Sequence, residues 1–351
     1  MKRICTKCIV AALILSMGIT AGIPAYAAQP QTTAATEQAA QLSLEETASQ
    51  YFENYPSDKH VVSAEQLLNR VEEGESFCLL DIRSAEDYAK GHIQGAVNIP
   101  YGVDVADALE IIPSDKTVYV YCYSGQTASQ TVALLRLAGK DAYNVSGGFT
   151  GISKQEKAKQ LTVKTETALP EGNYPVDPQL KQAIREYYEL AAQSGKFNMS
   201  AEQVKKEASE GKIYLVDIRS ENDYLKSRIS FAKENIPFGK GMQTALANLP
   251  KDQKIVFQCY SGQTASQTVA IARMMGLDAY NLSGGMGAKG GSGWLGAGYH
   301  VVKYSTQQFL NAKVDRYFKN LPENKNQLSA AAFLAAVEDK EDAVILDIRS
   351  A

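Results

Sequence analysis

Short apolar runs alternate with helical patterns along most of the chain. Phe77-Cys78-Leu79-Leu80-Asp81-Ile82 is near-continuously apolar and reads as a buried strand, and Val118-Tyr119-Val120-Tyr121-Cys122, β-branched and aromatic, reads as another. Pro113-Ser114-Asp115-Lys116 between them marks a turn. After Cys122 a polar loop leads into Ala128 to Gly139, whose apolar Val132, Leu135 and Leu137 and closing glycine predict a helix with a C-cap. Strands alternating with helices predict an α/β fold with a parallel sheet covered on both faces. Cys122 then falls at the carboxyl end of a strand, just ahead of a helix, where open sheets of this kind bind ligands.

The same pattern occurs again. Cys122 to Ala133 reads CYSGQTASQTVA, and Cys259 to Ala270, 137 residues later, repeats all twelve letters. Asp141 to Gly148 (DAYNVSGG) matches Asp278 to Gly285 (DAYNLSGG). Asp81-Ile82-Arg83-Ser84 recurs as Asp217-Ile218-Arg219-Ser220 and again as Asp347-Ile348-Arg349-Ser350. Tyr51 to Asp81, Tyr187 to Asp217 and Tyr317 to Asp347 are each 30 residues, and the two cysteines follow their aspartates by 41 and 42. A third cysteine at that spacing would fall near position 388, past Ala351, so the sequence holds two whole units and an incomplete third. That third copy is expected to belong to a longer chain, or else to dock as a cap. The first is favoured because ending after an apolar strand leaves an open sheet edge.

The amino terminus has a different character. Lys2, Arg3 and Lys7 precede an apolar run from Ile9 to Ile23 and then Pro24-Ala25-Tyr26-Ala27, the layout of a secretory signal peptide over residues 1–27. The run is shorter than the ~20 residues a spanning helix needs, which favours cleavage over anchoring and an extracytoplasmic destination, secreted or in the cell envelope. Residues 28–45 read as a flexible tether, 46–152 as the first domain, 153–178 as a linker, 179–302 as the second domain and 303–351 as the start of a third.

Composition narrows the chemistry. A 351-residue chain has room for two or three domains at roughly 100–200 residues each. With 36 Lys+Arg against 39 Asp+Glu there is no basic excess to neutralise phosphates, so no nucleic-acid partner is expected. Removing residues 1–27 takes three positive charges, changing the formal charge from −3 to −6, and leaves Cys78, Cys122 and Cys259. An odd number of cysteines in an exported protein points to free thiols.

Cys122 and Cys259 are the candidate nucleophiles. A helix N-terminus offers unpaired N–H groups and a partial positive charge, worth ~0.3–1 kcal/mol toward an anion. With loop amides also aimed at the sulfur, a thiolate pKa within ~3.5–7.5 is expected. The loops Tyr123-Ser124-Gly125-Gln126-Thr127 and Tyr260-Ser261-Gly262-Gln263-Thr264 are the candidate substrate-binding segments. Cys78, between Phe77 and Leu79, reads as core. Asp81, Arg83, Asp217 and Arg219 read as structural ion pairs, and His92 as a turn cap, since the second unit has Arg228 there. Gly284 to Gly298 lacks a GxxxxGK[ST] pattern and reads as an insertion leading to Trp294; His300 has no partner in sequence, and Lys154 to Lys159 reads as solvated linker.

Together these residues resemble the rhodanese superfamily. The first unit runs Asp81-Ile82-Arg83-Ser84-Ala85-Glu86-Asp87-Tyr88-Ala89-Lys90-Gly91-His92-Ile93-Gln94-Gly95-Ala96, then Asn98-Ile99-Pro100, the Cys122 loop and Ser146-Gly147-Gly148. The second shows Asp217 to Tyr224, Asn235-Ile236-Pro237, the Cys259 loop and Gly284-Gly285-Met286, departing from the pattern at Ser227 to Ala232. The resemblance implies tandem doubly wound domains, each a five-stranded parallel sheet flanked by helices, with no metal or organic cofactor. It implies sulfurtransferase activity: a cysteine persulfide takes sulfane sulfur from a small donor and passes it to a thiol, to cyanide or to a protein thiol. The related phosphatases carry an Arg where Ala128 and Ala265 stand, so phosphoryl chemistry lacks its charge clamp here. The loops also lack the basic residues of thiosulfate-specialised members, and Asp87 and Asp223 stand where those tend to have Arg, leaving thiosulfate one possible donor among several. The alternative is a rhodanese-like module that binds a partner or senses thiol oxidation without turnover.

Overall fold

The computed structural model describes residues 44–338 apart from 54, 320, 322, 324 and 326. The signal-peptide reading of 1–27, nearly all of the tether and the Asp347–Ser350 motif lie outside the described residues.

The first unit runs α1 (Leu44–Gln50), β1 (Val61–Val62), α2 (Ala64–Glu72), β2 (Cys78–Asp81), α3 (Ala85–Lys90), β3 (His92–Ile93), β4 (Ala96–Asn98), α4 (Val103–Asp107), β5 (Val118–Tyr121), α5 (Gln126–Leu137), β6 (Ala142–Val145), α6 (Gly148–Ile152), α7 (Ala158–Leu161) and β7 (Thr162–Val163). The second runs α8 (Pro178–Gln193), β8 (Asn198–Met199), α9 (Ala201–Ser209), β9 (Ile213–Asp217), α10 (Glu221–Lys226), β10 (Ser227–Arg228), β11 (Ala232–Asn235), α11 (Met242–Ala247), β12 (Lys254–Gln258), α12 (Gln263–Met274), β13 (Ala279–Leu282), α13 (Gly293–Gly296) and β14 (Val302–Lys303). Two further helices follow, α14 (Thr306–Lys319) and α15 (Ala330–Glu338).

Each unit has a five-stranded parallel sheet with the same order, β1-β6-β5-β2-β4 in the first and β8-β13-β12-β9-β11 in the second. The central strands β2 and β5 are buried along their whole length, as strands covered on both faces must be. Helix starts follow the local chemistry. Ser63 and Ser200 form capping boxes with Gln66 and Gln203, Ser84 and Ser220 cap α3 and α10, and Asp177 caps α8 ahead of Pro178.

The helix after each cysteine begins earlier than the apolar pattern predicts. It starts at Gln126 and Gln263, so the loop shrinks to Tyr123–Gly125 and Tyr260–Gly262, with Gly125 (φ 85°) and Gly262 (φ 84°) at the N-cap in left-handed backbone. Periodicity missed the first turn because Gln126, Thr127 and their counterparts are polar. The segment read as a linker is also partly built into the first unit: α7 carries buried Ala158, and β7 pairs antiparallel with β3.

The two units embrace each other reciprocally, as across an approximate two-fold. Helices α5 and α12 pack together, and Ala128–Leu135 and Ala265–Ala272 are buried on every side. Each leading helix crosses to the other unit. Phe52, just past α1, stacks edge-on to Phe238 at 5.7 Å, and its carbonyl accepts from the Gly241 N–H at 2.9 Å. In return, α8 places Tyr188 against Tyr101 at 5.1 Å and Thr131 at 3.0 Å, and pairs Lys181 with Glu110 and Arg185 with Asp107. Two glutamines lock the junction. Gln267 accepts from Tyr51 Oη at 2.9 Å and donates to the Lys59 carbonyl at 3.0 Å; Gln130 accepts from Tyr187 Oη at 3.0 Å and donates to the Lys196 carbonyl at 2.9 Å. Buried amides satisfied at both ends in this way avoid the ~1–3 kcal/mol cost of an orphaned polar group.

Helix α14 lies on α10 through ion pairs of Lys313 and Arg316 with Glu221, at 3.2 and 3.3 Å, and buries no residue of its own. Among the described residues no helix is long and apolar enough to cross a membrane.

Candidate functional site

Both cysteines sit where the chain leaves a central strand and enters a helix. Cys122 Sγ accepts from the Gly125 N–H at 3.1 Å and the Ala128 N–H at 3.4 Å. Cys259 Sγ accepts from Gly262 and Ala265 at the same two distances. Glycine at the N-cap has no side chain to cap the helix, so the sulfur arriving from the strand takes that role. Each sulfur also lies at the positive end of a twelve-residue helix. The two cysteines are nearly enclosed, 2% and 1% exposed, and belong to the core while their sulfurs meet the loop amides. Cys259 lines a cleft of about 480 Å³ together with Tyr260, Ser261 and Phe238 of its own unit and Asp58, Lys59 and Ser146 of the other.

A glycine pair braces each loop. Gly148 (φ 55°) packs so closely that a Cβ there would meet the Cys122 carbonyl oxygen at 2.5 Å and the Ser124 and Gly125 nitrogens at 2.7 Å. Gly285 (φ 59°) stands in the same relation to Cys259, Ser261 and Gly262. Just beyond them, the Phe149 and Met286 N–H groups each donate to the cysteine carbonyl at 2.7 Å. Sequence reasoning took these glycines as part of a motif without seeing their role; their recurrence in both copies was the signal.

The remaining candidates separate into groups. Arg83 closes on Asp81 (Nη2–Oδ2 2.6 Å) and reaches the Gly91 carbonyl at 2.8 Å; Arg219 repeats this with Asp217 (2.7 Å) and the Ser227 carbonyl (2.7 Å). All four side chains are buried, so the pairs pin loops beneath the site and do not line it. Burial is the main influence on Asp217 and raises its pKa against the pull of Arg219. Tyr123 and Tyr260, 45% and 47% exposed, stand at the rim and donate to Asp87 at 2.6 Å and Asp223 at 2.5 Å. The Tyr123 hydrogen bond, then that of Lys90, lowers Asp87 to about 2; Tyr260, then Ser220, lowers Asp223.

Gln126 and Gln263 open the two helices but turn toward the other unit. Gln126 Oε1 accepts from Asn281 Nδ2 at 2.9 Å and the Gly284 N–H at 3.1 Å, and Gln263 Oε1 accepts from Asn144 Nδ2 at 2.8 Å. Ser124 and Ser261 each accept from the adjacent glutamine amide at 3.3 Å, and Thr127 and Thr264 occupy the first helical turn. Cys78 is buried away from both sites, and desolvation pushes its thiol up to about 11. His92 is fully buried, stacked on Tyr88 at 3.6 Å with both ring nitrogens held by the carbonyls of Tyr88 and Thr165, so it is a packed core residue more than a turn cap. Trp294 is buried in α13 and donates to the His300 carbonyl at 2.9 Å. Among the described residues no group of three or more His, Cys, Asp or Glu side chains converges to hold a metal ion.

The rhodanese-like domain model matches residues 63–155 and 200–288, more than half of the chain. The chain belongs to the rhodanese-like family. Both matches fall on the five-stranded units, placing the protein within the sulfurtransferase superfamily as a tandem rhodanese. It is similar to the thiosulfate sulfurtransferase GlpE of Pseudomonas fluorescens (38% identity, 20% of this chain and 65% of that protein) and to the tRNA sulfurtransferase of Thermoplasma acidophilum (30%, 23% and 16%). A crystallised rhodanese-like domain protein of Staphylococcus aureus is 29% identical over 26% of this chain and 89% of its own, with a TM-score of 0.25. The chain spans about half or less of the length of several curated relatives it matches, between 24% and 48%. The tandem rhodanese thus has, in each repeat, a cysteine met by two backbone amides at the end of a central strand.

Proposed function

We propose that both repeats transfer sulfane sulfur through a cysteine persulfide. The observation that carries this reading is the pair of N–H groups converging on each Sγ, at 3.1 and 3.4 Å in both units. The cysteine thiolate attacks the sulfane sulfur of a donor; a new S–S bond forms, and the donor's S–S bond breaks with its electron pair on the leaving fragment, sulfite when the donor is thiosulfate. An acceptor thiolate or cyanide then attacks the terminal sulfur, the persulfide bond breaks, and the cysteine thiolate is regenerated. The amides that cap the resting thiolate are placed to hold the negative charge of the persulfide through both steps. Without an arginine at Ala128 or Ala265, phosphoryl transfer has no clamp at either site.

Intact-mass measurement after incubation with thiosulfate or glutathione persulfide should show one added sulfur atom for each repeat, removed by sulfite, cyanide or thiol. Absence of sulfur addition with either donor, together with ready sulfenylation, would overturn the reading in favour of a redox-sensing module. The leader pattern of residues 1–27 supports an extracytoplasmic setting, tested by N-terminal sequencing of the exported protein.

A further inference from the structure

Lys59 and Lys196 occupy the same place in the two repeats, 137 residues apart, and neither belongs to the cysteine loops. Both adopt left-handed backbone, with φ of 58° and 59°, and so do the residues after them, His60 at 52° and Phe197 at 54°. Such conformations persist in non-glycine residues only where the surroundings enforce them. Here both repeats contribute: the Lys59 carbonyl accepts from Gln267 of the other repeat and Tyr55 of its own, and the Lys196 carbonyl accepts from Gln130 of the other repeat and Asn198 of its own. Each strained turn is thereby tied to the unit it does not belong to. Lys59 shares the cleft with Cys259. On the other side Lys196 Nζ lies 5.4 Å from the ring centre of Tyr101, the counterpart of the Phe238 that lines the Cys259 cleft.

The cysteine loops contribute no cation of their own. At their rims Asp87 is paired with Lys90 at 3.0 Å while Asp223 bonds Tyr260 and Ser220, and Arg83 and Arg219 are closed on aspartates. Among the residues that line the Cys259 cleft Lys59 is the one cation, and it comes from the other repeat. We propose that Lys59 holds the negative end of the sulfur donor at Cys259 and that Lys196 does so at Cys122, each lysine serving the cysteine of the other repeat. The inference rests on the sulfur-transfer reading and names its donor class: a sulfane sulfur attached to a fragment bearing sulfonate or carboxylate. That fragment leaves with the electron pair of the broken S–S bond, so the ammonium faces a negative group both before and after transfer. Thiosulfate and the persulfide of a carboxylate-bearing thiol share this chemistry.

The test uses the full chain carrying Cys122→Ser, so that Cys259 is the reactive thiol. Alkylation by anionic iodoacetate and by neutral iodoacetamide measures local charge without any sulfur transfer. Lys59→Gln should lower the iodoacetate-to-iodoacetamide rate ratio at Cys259 about fivefold, and Lys59→Arg should restore it. The reciprocal chain, Cys259→Ser with Lys196→Gln, should show the same fall at Cys122. With donors, Lys59→Gln should raise KM more than it lowers kcat. An effect on thiosulfate alone identifies the sulfonate as the recognised group, and an equal effect on glutathione persulfide identifies anionic donors generally. An unmoved alkylation ratio alongside intact persulfide formation overturns the lysine assignment alone. A fallen ratio in a protein that never gains sulfur upholds the charge placement and overturns the sulfur-transfer reading beneath it.

Discussion

The two cysteine sites share most of their own contacts and are unlike in what surrounds them. Both have amide donors at 3.1 and 3.4 Å, a glycine brace, a buried Asp–Arg pair and a rim Tyr–Asp bond. The divergence lies in the segment that each unit receives from the other. Cys259 shares its cleft with Asp58 and Lys59, which His60 follows, whereas the matching segment of the second repeat is Gly195-Lys196-Phe197. A duplicated framework can therefore hold its chemistry constant while its environment is retuned from across the interface.

The most severe way to break the comparison is to remove one sulfur at a time. Cys122→Ser and Cys259→Ser should each halve the sulfur bound per chain, and the double variant should bind none, read by intact mass. If one single variant lost all of it, the sites would not be equivalent.

Next comes the brace. Gly148→Ala and Gly285→Ala each drive a Cβ into loop backbone at a position with positive φ, and each should cost about 3 kcal/mol in denaturant unfolding. Matching losses would confirm that the two loops are held alike.

Acid should distinguish the borrowed segments. Desolvation lowers His60 to about 4 from an ordinary 6.5, so it is buried neutral. Its stabilising contribution is complete above about pH 6.5 and declines as pH falls toward 4, where the unfolded chain takes up the proton first. His60→Phe, which copies Phe197, should flatten that acid limb by on the order of 2 kcal/mol in urea titrations. Phe197→His should create a second such limb.

The smallest effect concerns Asp58, whose carboxylate opposes Lys59 while accepting the His60 N–H at 2.9 Å; its counterpart is Gly195. Asp58→Asn keeps the acceptor and removes the charge, so iodoacetate should alkylate Cys259 about twofold faster relative to iodoacetamide.

Much of this was legible before any coordinates. Cys122 and Cys259 could be placed at strand ends because apolar β-branched runs lead straight into them, and Asp81–Arg83 could be read as a buried pair from its place under the sheet. Local chemistry carries that kind of information. The start of α5 was less legible because Gln126 and Thr127 give no apolar period, and the boundary shifted by two residues. His92 looked like a turn residue because nothing nearby in sequence shows that Thr165, 73 residues away, closes over it. Least legible were the exchanged helices and the two lysines. Contacts between repeats follow no spacing along the chain, and the left-handed turns at Lys59 and Lys196 use residues that ordinarily avoid that conformation.

The crossing of α1 and α8 also decides what a protease could separate. A cut between Val163 and Asp177 would sever the covalent join, but each fragment would still grip a helix belonging to its sibling. The nicked halves should travel as one particle through gel filtration. A unit expressed with repeat boundaries drawn from the alignment of its motifs would retain a helix suited to an absent neighbour and lack the one that closes its own flank.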